Sequence, residues 1–114
     1  MDVASDLRSE PTEALIDTGT ELSLFDQSVA HLIGLNLENA PTITVYGVGG
    51  LARDVRLSEV TLRLLGLPDL EVRLQVGFAP DIDLGTGNLI GLDVLEHFDF
   101  ALAHAERLGY LGRR

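Results

Sequence analysis

Apolar and polar positions alternate along this chain in short runs whose period keeps changing. Residues 2–8 are weakly apolar, and the Arg-Ser-Glu-Pro stretch at 8–11 has the composition of a turn. The run 12–17, Thr-Glu-Ala-Leu-Ile-Asp, predicts a strand ending at Asp17; 18–21 make a bend, and 22–26 resume an extended path. Residues 26–34 carry helix punctuation, with Asp26 as N-cap, Gly34 as stop, and Val29, Leu32 and Ile33 sharing an apolar face. Period-two patterning returns at 42–47, a strand leading into the glycines at 47–50. The stretch 51–66 suits either helix or strand, but Val55, Leu57, Val60, Leu62 and Leu64 include a period-two run that favours strands. In 69–78, Leu70, Val72, Leu74 and Val76 lie on one face and Glu71, Arg73 and Gln75 on the other. Residues 81–87 read as a loop. The segment 88–98 starts as an apolar strand, breaks at Gly91 and continues as a short helix, and 99–112 reads as a closing hairpin. Many short strands, few helical residues and frequent glycine turns predict a small, mostly β domain spanning residues 1–114.

Composition narrows what such a domain can do. At 114 residues and 46% hydrophobic, the chain supports one modest core. Its 18 acids against 8 bases give a net charge of −10, and Arg113-Arg114 is too short a basic cluster to hold nucleic acid. There is no cysteine, which removes disulfides, thiolate metal sites and thiol nucleophiles. His31, His97 and His104 lie far apart without a zinc spacing, so no metal is expected. No apolar run approaches the roughly 20 residues of a membrane span. The acidic, polar start has no signal-peptide character, so a cytoplasmic location is the expectation.

Three stretches remain as candidate chemistry. Taken alone, Asp17-Thr18-Gly19 reads as a turn, with Asp17 accepting from nearby amides and Gly19 at positive φ. Its flank admits another reading, because an apolar strand running into a carboxylate places the acid at the edge of a core. There Thr18 offers a hydroxyl and Gly19 an unobstructed amide. Tyr46-Gly47-Val48-Gly49-Gly50 lacks the third glycine of a dinucleotide-binding loop and suits either a plain loop or a mobile hairpin tip. Leu89-Ile90-Gly91 joins a strand to a helix and is either core plus breaker or part of a site. The run beginning at Asp81 fails as a calcium loop at Gly85, Thr86 and Leu92, and no G-x-S-x-G elbow exists.

Taken in order, Leu15-Ile16-Asp17-Thr18-Gly19, the glycine-rich Tyr46 to Gly50 and Leu89-Ile90-Gly91 resemble the plan of the retropepsin-like aspartic proteases. The resemblance extends from about residue 3 to 111, and the closing hairpin is more similar to cellular, especially bacterial, members. It implies a small closed, orthogonal β-barrel with one or two short helices, a flap hairpin and a C-terminal hairpin. It further implies an endopeptidase without metal or cofactor, in which Asp17 of each of two subunits forms the catalytic pair. By the same resemblance Thr18 cross-braces the two loops, Leu15, Ile16, Leu89, Ile90 and Gly91 support them, and Tyr46, Gly47, Val48, Gly49 and Gly50 close over an extended peptide or protein substrate. Asp93 and Asp99 lack the Thr-Gly context of a second catalytic acid. Two departures bear on dimerisation. Only 16 residues precede Asp17, so the N-terminal strand of the retroviral dimer sheet is expected to be absent. Glu21 stands where the family has an aspartate whose arginine partner is here Leu92. The alternative is a catalytically silent domain of the same fold, used for dimerisation or peptide binding.

Overall fold

Strand-forming sequence dominates, and the computed structural model, which describes residues 1–46, 52–63, 71–82 and 87–97, is accordingly mostly β. The strands are β1 (Asp2–Ala4), β2 (Ser9–Pro11), β3 (Leu15–Ile16), β4 (Leu24–Asp26), β5 (Thr42–Tyr46), β6 (Ala52–Arg63), β7 (Glu71–Ala79) and β8 (Leu89–Ile90). Helix α1 covers Gln27–Leu32, and a second short helix, α2, covers residues 92–97. The strands form one sheet in the order β2-β1-β6-β7-β4-β8-β3, with β5 paired to β6, curled into a half-barrel.

Two details correct the sequence reading. Residues 9–11 are not a turn but strand β2, antiparallel to β1 through Val3↔Glu10. The reversal comes earlier, where the Ser5 hydroxyl accepts from the Leu7 amide at 3.0 Å and the Ser5 amide donates to the Arg8 carbonyl at 2.9 Å. On α1 the buried residues are Val29, Ala30 and Ile33, while Leu32 is 47% exposed. At 100° per residue the buried arc is centred on Ile33 and swings away from Leu32. The N-cap is as expected, with the Asp26 side chain accepting from the Ser28 amide at 3.0 Å, and Gly34 follows with φ +76°.

The ambiguous stretch 51–66 contains the single twelve-residue strand β6. Its pattern looked mixed because the buried phase switches from odd to even positions along it. Val55 packs with Leu24, Ala79 and Ile82 in one cluster, whereas Val60 and Leu62 enter the main core with Val3, Phe25, Ile33, Val72, Val76 and Phe78. Strand neighbours point to opposite faces, so one strand serves both clusters. In β7, Val72 and Val76 are buried and Glu71, Arg73 and Gln75 exposed, as the alternation predicted. Leu64, Leu70, Gly47 to Gly50 and the expected hairpin at 99–112 lie outside the described residues.

The site depends on one feature of connectivity. Strands β3 and β4 flank the segment 17–23, and β8 lies between them, parallel to β3 (Leu15↔Leu89, Ile16↔Ile90) and antiparallel to β4 (Leu24↔Leu89). Phe25 on β4 faces Phe78 on β7, with tilted rings 6.1 Å apart, which anchors this end of the sheet to the core.

Candidate active site

The backbone of Asp17 is fixed from below by β8. Its amide donates to the Ile90 carbonyl at 2.9 Å, one step beyond the Leu15 amide, which donates to the Asn88 carbonyl at 2.8 Å. The chain then turns back on itself. The Gly19 amide donates to Asp17 Oδ1 at 2.8 Å, and the Thr20 amide reaches the Asp17 carbonyl at 3.4 Å. A Cβ on Gly19 would stand 3.1 Å from that same Oδ1, so the glycine keeps the carboxylate and the amide in contact. Gly19 is not at positive φ, contrary to the plain turn reading; among the described residues the positive-φ glycines are Gly34 and Gly87. Thr18 is exposed, and within the described residues its hydroxyl has no hydrogen-bond partner.

The apolar approach to Asp17 is not buried in the single chain. Leu15 is 60% and Ile16 72% exposed, and Asp17 itself is half-buried. Asp17 is thus half-buried, as an acid at the edge of a core would be, but the strand's own Leu15 and Ile16 are not part of a core within one subunit. Ile90, on the neighbouring strand, is buried and Leu89 half-buried. Tyr46, at the end of β5 opposite Ala52, is 73% exposed.

The turn after Asp17 is locked to the β8–α2 corner. The Leu92 amide donates to the Thr20 carbonyl at 2.9 Å and the Asp93 amide to the Glu21 carbonyl at 3.1 Å. Gly91 makes this approach possible: a Cβ there would stand 2.8 Å from the Thr20 carbonyl oxygen. Asp93 is the residue that sequence reasoning passed over. Its carboxylate accepts from the Ser23 amide at 3.0 Å, the Ser23 hydroxyl at 2.7 Å and the Val94 amide at 2.8 Å. No ion pair involves Glu21 within the described residues, and Leu92 could not supply one. The corner is braced instead by Ser23 and Asp93, which lie 70 residues apart in sequence and carry no local signal for each other.

A second brace holds the far end of β4. Asp26, 8% exposed, accepts from the Ile82 amide at 2.9 Å in addition to capping α1, and its own amide donates to Asn88 Oδ1 at 2.7 Å. Asn88 Nδ2 donates to the Glu13 carbonyl at 3.0 Å, tying the start of β8 to the approach of β3. Among the described residues no group of His, Asp and Glu is placed to hold a metal ion, and no helix is long and apolar enough to cross a membrane.

Comparison with known proteins meets this geometry from outside. Residues 3–94 match the model of a family described as aspartyl protease. Among solved structures, the EIAV protease complexed with the inhibitor HBY-793 matches with a TM-score of 0.59 and 19% sequence identity, covering 84% of this chain and 94% of that one. At that identity the likeness is one of fold. No curated protein matches the chain.

Proposed function

The chain belongs to the retropepsin-like aspartyl protease family, and on that premise we propose that it is an aspartic endopeptidase acting as a homodimer. One observation carries this reading. A half-buried carboxylate, held by its own loop, sits beside Leu15 and Ile16, two large apolar side chains that the subunit leaves exposed. A second copy facing this loop across a two-fold axis would cover those side chains and bring its own Asp17 alongside the first. The two carboxyls then share a proton, because both cannot readily ionise side by side; aspartic proteases are the standard case of this behaviour.

In the reaction, the ionised Asp17 takes a proton from a water molecule, whose oxygen forms a bond to the peptide carbonyl carbon. The protonated Asp17 of the partner subunit donates to the carbonyl oxygen as it gains charge. Collapse of the tetrahedral intermediate breaks the C–N bond: the proton held by the first carboxyl passes to the leaving nitrogen, and the proton on the former carbonyl oxygen returns to the partner's Asp17 as the C=O bond re-forms. Thr18, exposed and without a hydroxyl partner among the described residues of its own subunit, would brace the facing loop. Tyr46 and the glycines from Gly47 to Gly50 would cover an extended peptide bound as an added strand. Leu15, Ile16, Leu89, Ile90 and Gly91 form the platform on which the aspartate stands.

The test is digestion of a diverse peptide mixture from mildly acidic to neutral pH, with Asp17→Asn as control. Cleavage that vanishes in the variant and rises more steeply than linearly with protein concentration supports the dimeric enzyme. Absence of cleavage by the unmodified protein, even at high concentration, overturns it in favour of a catalytically silent dimerisation or peptide-binding domain.

A further inference from the structure

Ser23 is fully buried, yet it is polar and 70 residues from its carboxylate partner in sequence. Its hydroxyl has two partners with distinct roles. It donates to Asp93 Oδ1 at 2.7 Å and accepts from the Gly91 amide at 2.8 Å. The Gly91 amide and the Ile90 carbonyl belong to the same planar peptide group. On the other side of that plane, the Ile90 carbonyl accepts from the Asp17 amide at 2.9 Å. An unbroken line of hydrogen bonds therefore runs from the Asp93 carboxylate, through the Ser23 hydroxyl and one peptide plane, to the backbone of Asp17.

We propose that Ser23 and Asp93 are positioning residues for Asp17, acting by setting the tilt of the Ile90–Gly91 peptide. The chemistry of each link fits that role. The Gly91 and Ser23 amides are obligate donors, so the serine hydroxyl must point its proton at the carboxylate while its oxygen receives the glycine. Asp93 takes three donors, which fixes the carboxylate in plane and in turn fixes the hydroxyl. Hydrogen bonds in such a chain polarise one another, so orienting one end orients the other. The peptide plane cannot rotate about its C–N bond, and swinging it would break contacts on both faces at once. The Ser23 hydroxyl is fully buried and bonded to Asp93 and Gly91, so it is not exposed to touch substrate. Its effect reaches the carboxylate only through the chain's own backbone.

The relay deepens the proposed peptidase site and rests on that reading for its effect on catalysis, but its structural half is testable without any activity. The experiment measures amide hydrogen exchange by NMR in the unmodified protein, Ser23→Ala and Asp93→Asn, alongside kcat and KM on a cleaved peptide. Ser23→Ala deletes one buried oxygen and adds no bulk, so it retains the fold. It is expected to speed exchange of the Asp17 amide about tenfold relative to amides in the β6–β7 ladder, and to lower kcat about tenfold with little change in KM, each equivalent to about 1.4 kcal/mol. Asp93→Asn keeps Oδ1 as acceptor for the Ser23 hydroxyl and Val94 but sets an NH2 where Oδ2 accepts from the Ser23 amide at 3.0 Å, so both readouts should move in the same direction as in Ser23→Ala but by a smaller factor. A loss of general stability alone would move the ladder and the Asp17 amides together, and that result overturns the relay. So does an Asp93→Asn effect as large as that of Ser23→Ala. If the unmodified protein cleaves nothing, the peptidase reading fails while the exchange data still decide the relay.

Discussion

Gly91→Ala is the substitution that most directly tests how the site is assembled. The added Cβ would stand 2.8 Å from the Thr20 carbonyl oxygen, 3.0 Å from Thr20 Cγ2 and 3.1 Å from the Leu22 carbonyl carbon. Two of those atoms are backbone, and the third sits on a β-branched side chain with little rotational freedom. None can swing aside. Ordinary contact begins near 3.4 Å, so the β8–α2 corner must retreat from the Thr20–Leu22 segment by roughly 0.6 Å. The Leu92 amide bond to Thr20, now 2.9 Å, would then approach the limit of a useful hydrogen bond. Overpacking of this kind costs about 1–3 kcal/mol, and each weakened hydrogen bond about 1 kcal/mol more. The expected loss is about 2–4 kcal/mol, a large share of the roughly 5–15 kcal/mol that holds a domain folded. With a urea slope of about 2 kcal/mol per molar, the unfolding midpoint should fall by about 1–2 M at unchanged slope. Peptide cleavage should fall about a hundredfold if Asp17 shifts by about 1 Å. A midpoint shift equivalent to less than about 0.5 kcal/mol, the range of neutral surface changes, would refute the backbone-to-backbone packing on which this reasoning rests.

Other expectations follow from the same geometry. Gly77→Ala would place a Cβ 2.4 Å from Val55 Cγ1, and it should destabilise the fold by about 1–3 kcal/mol in chemical denaturation. Adding Val55→Ala should restore part of that loss, and purely additive effects would disprove the clash. Asp26→Ala removes the acceptor for the Ser28 and Ile82 amides together, so the thermal midpoint should report a loss of about 2–3 kcal/mol. The double change Leu15→Asp with Ile16→Asp falls on exposed positions and should leave the circular-dichroism spectrum of the subunit intact. Sedimentation should show its self-association weakened at least about tenfold, and unchanged association would remove these side chains from the dimer surface.

What could be read from the sequence was what is encoded by period and by local punctuation. The alternation of Val72, Leu74 and Val76, the Asp26 cap and the Gly34 stop are local, and they appear in the fold where the pattern put them. Leu32 was misplaced because helical spacing leaves two neighbouring arcs open, and tertiary packing chose the one containing Ala30. The phase switch in β6 blurred a single strand because its two halves answer to different clusters. At the site, Asp17-Thr18-Gly19 and Leu89-Ile90-Gly91 were visible as motifs and lie on adjacent strands. Ser23 and Asp93 were not visible. Neither has an unusual neighbourhood, and the meaning of each exists only once the other is beside it.

The insertion of β8 between β3 and β4 also bears on when, during synthesis, the loop around Asp17 can take its shape. Among the described residues, the hydrogen bonds that hold the strand and loop around Asp17 from below involve residues 88–93. During synthesis the Asp-Thr-Gly triplet emerges ahead of residues 88–93, and it has no platform until they follow. Closing so long a loop is entropically costly and comes late in folding. A nascent or truncated chain thus displays the motif without the site. Sequence order therefore makes assembly of this corner wait for residues 88–93.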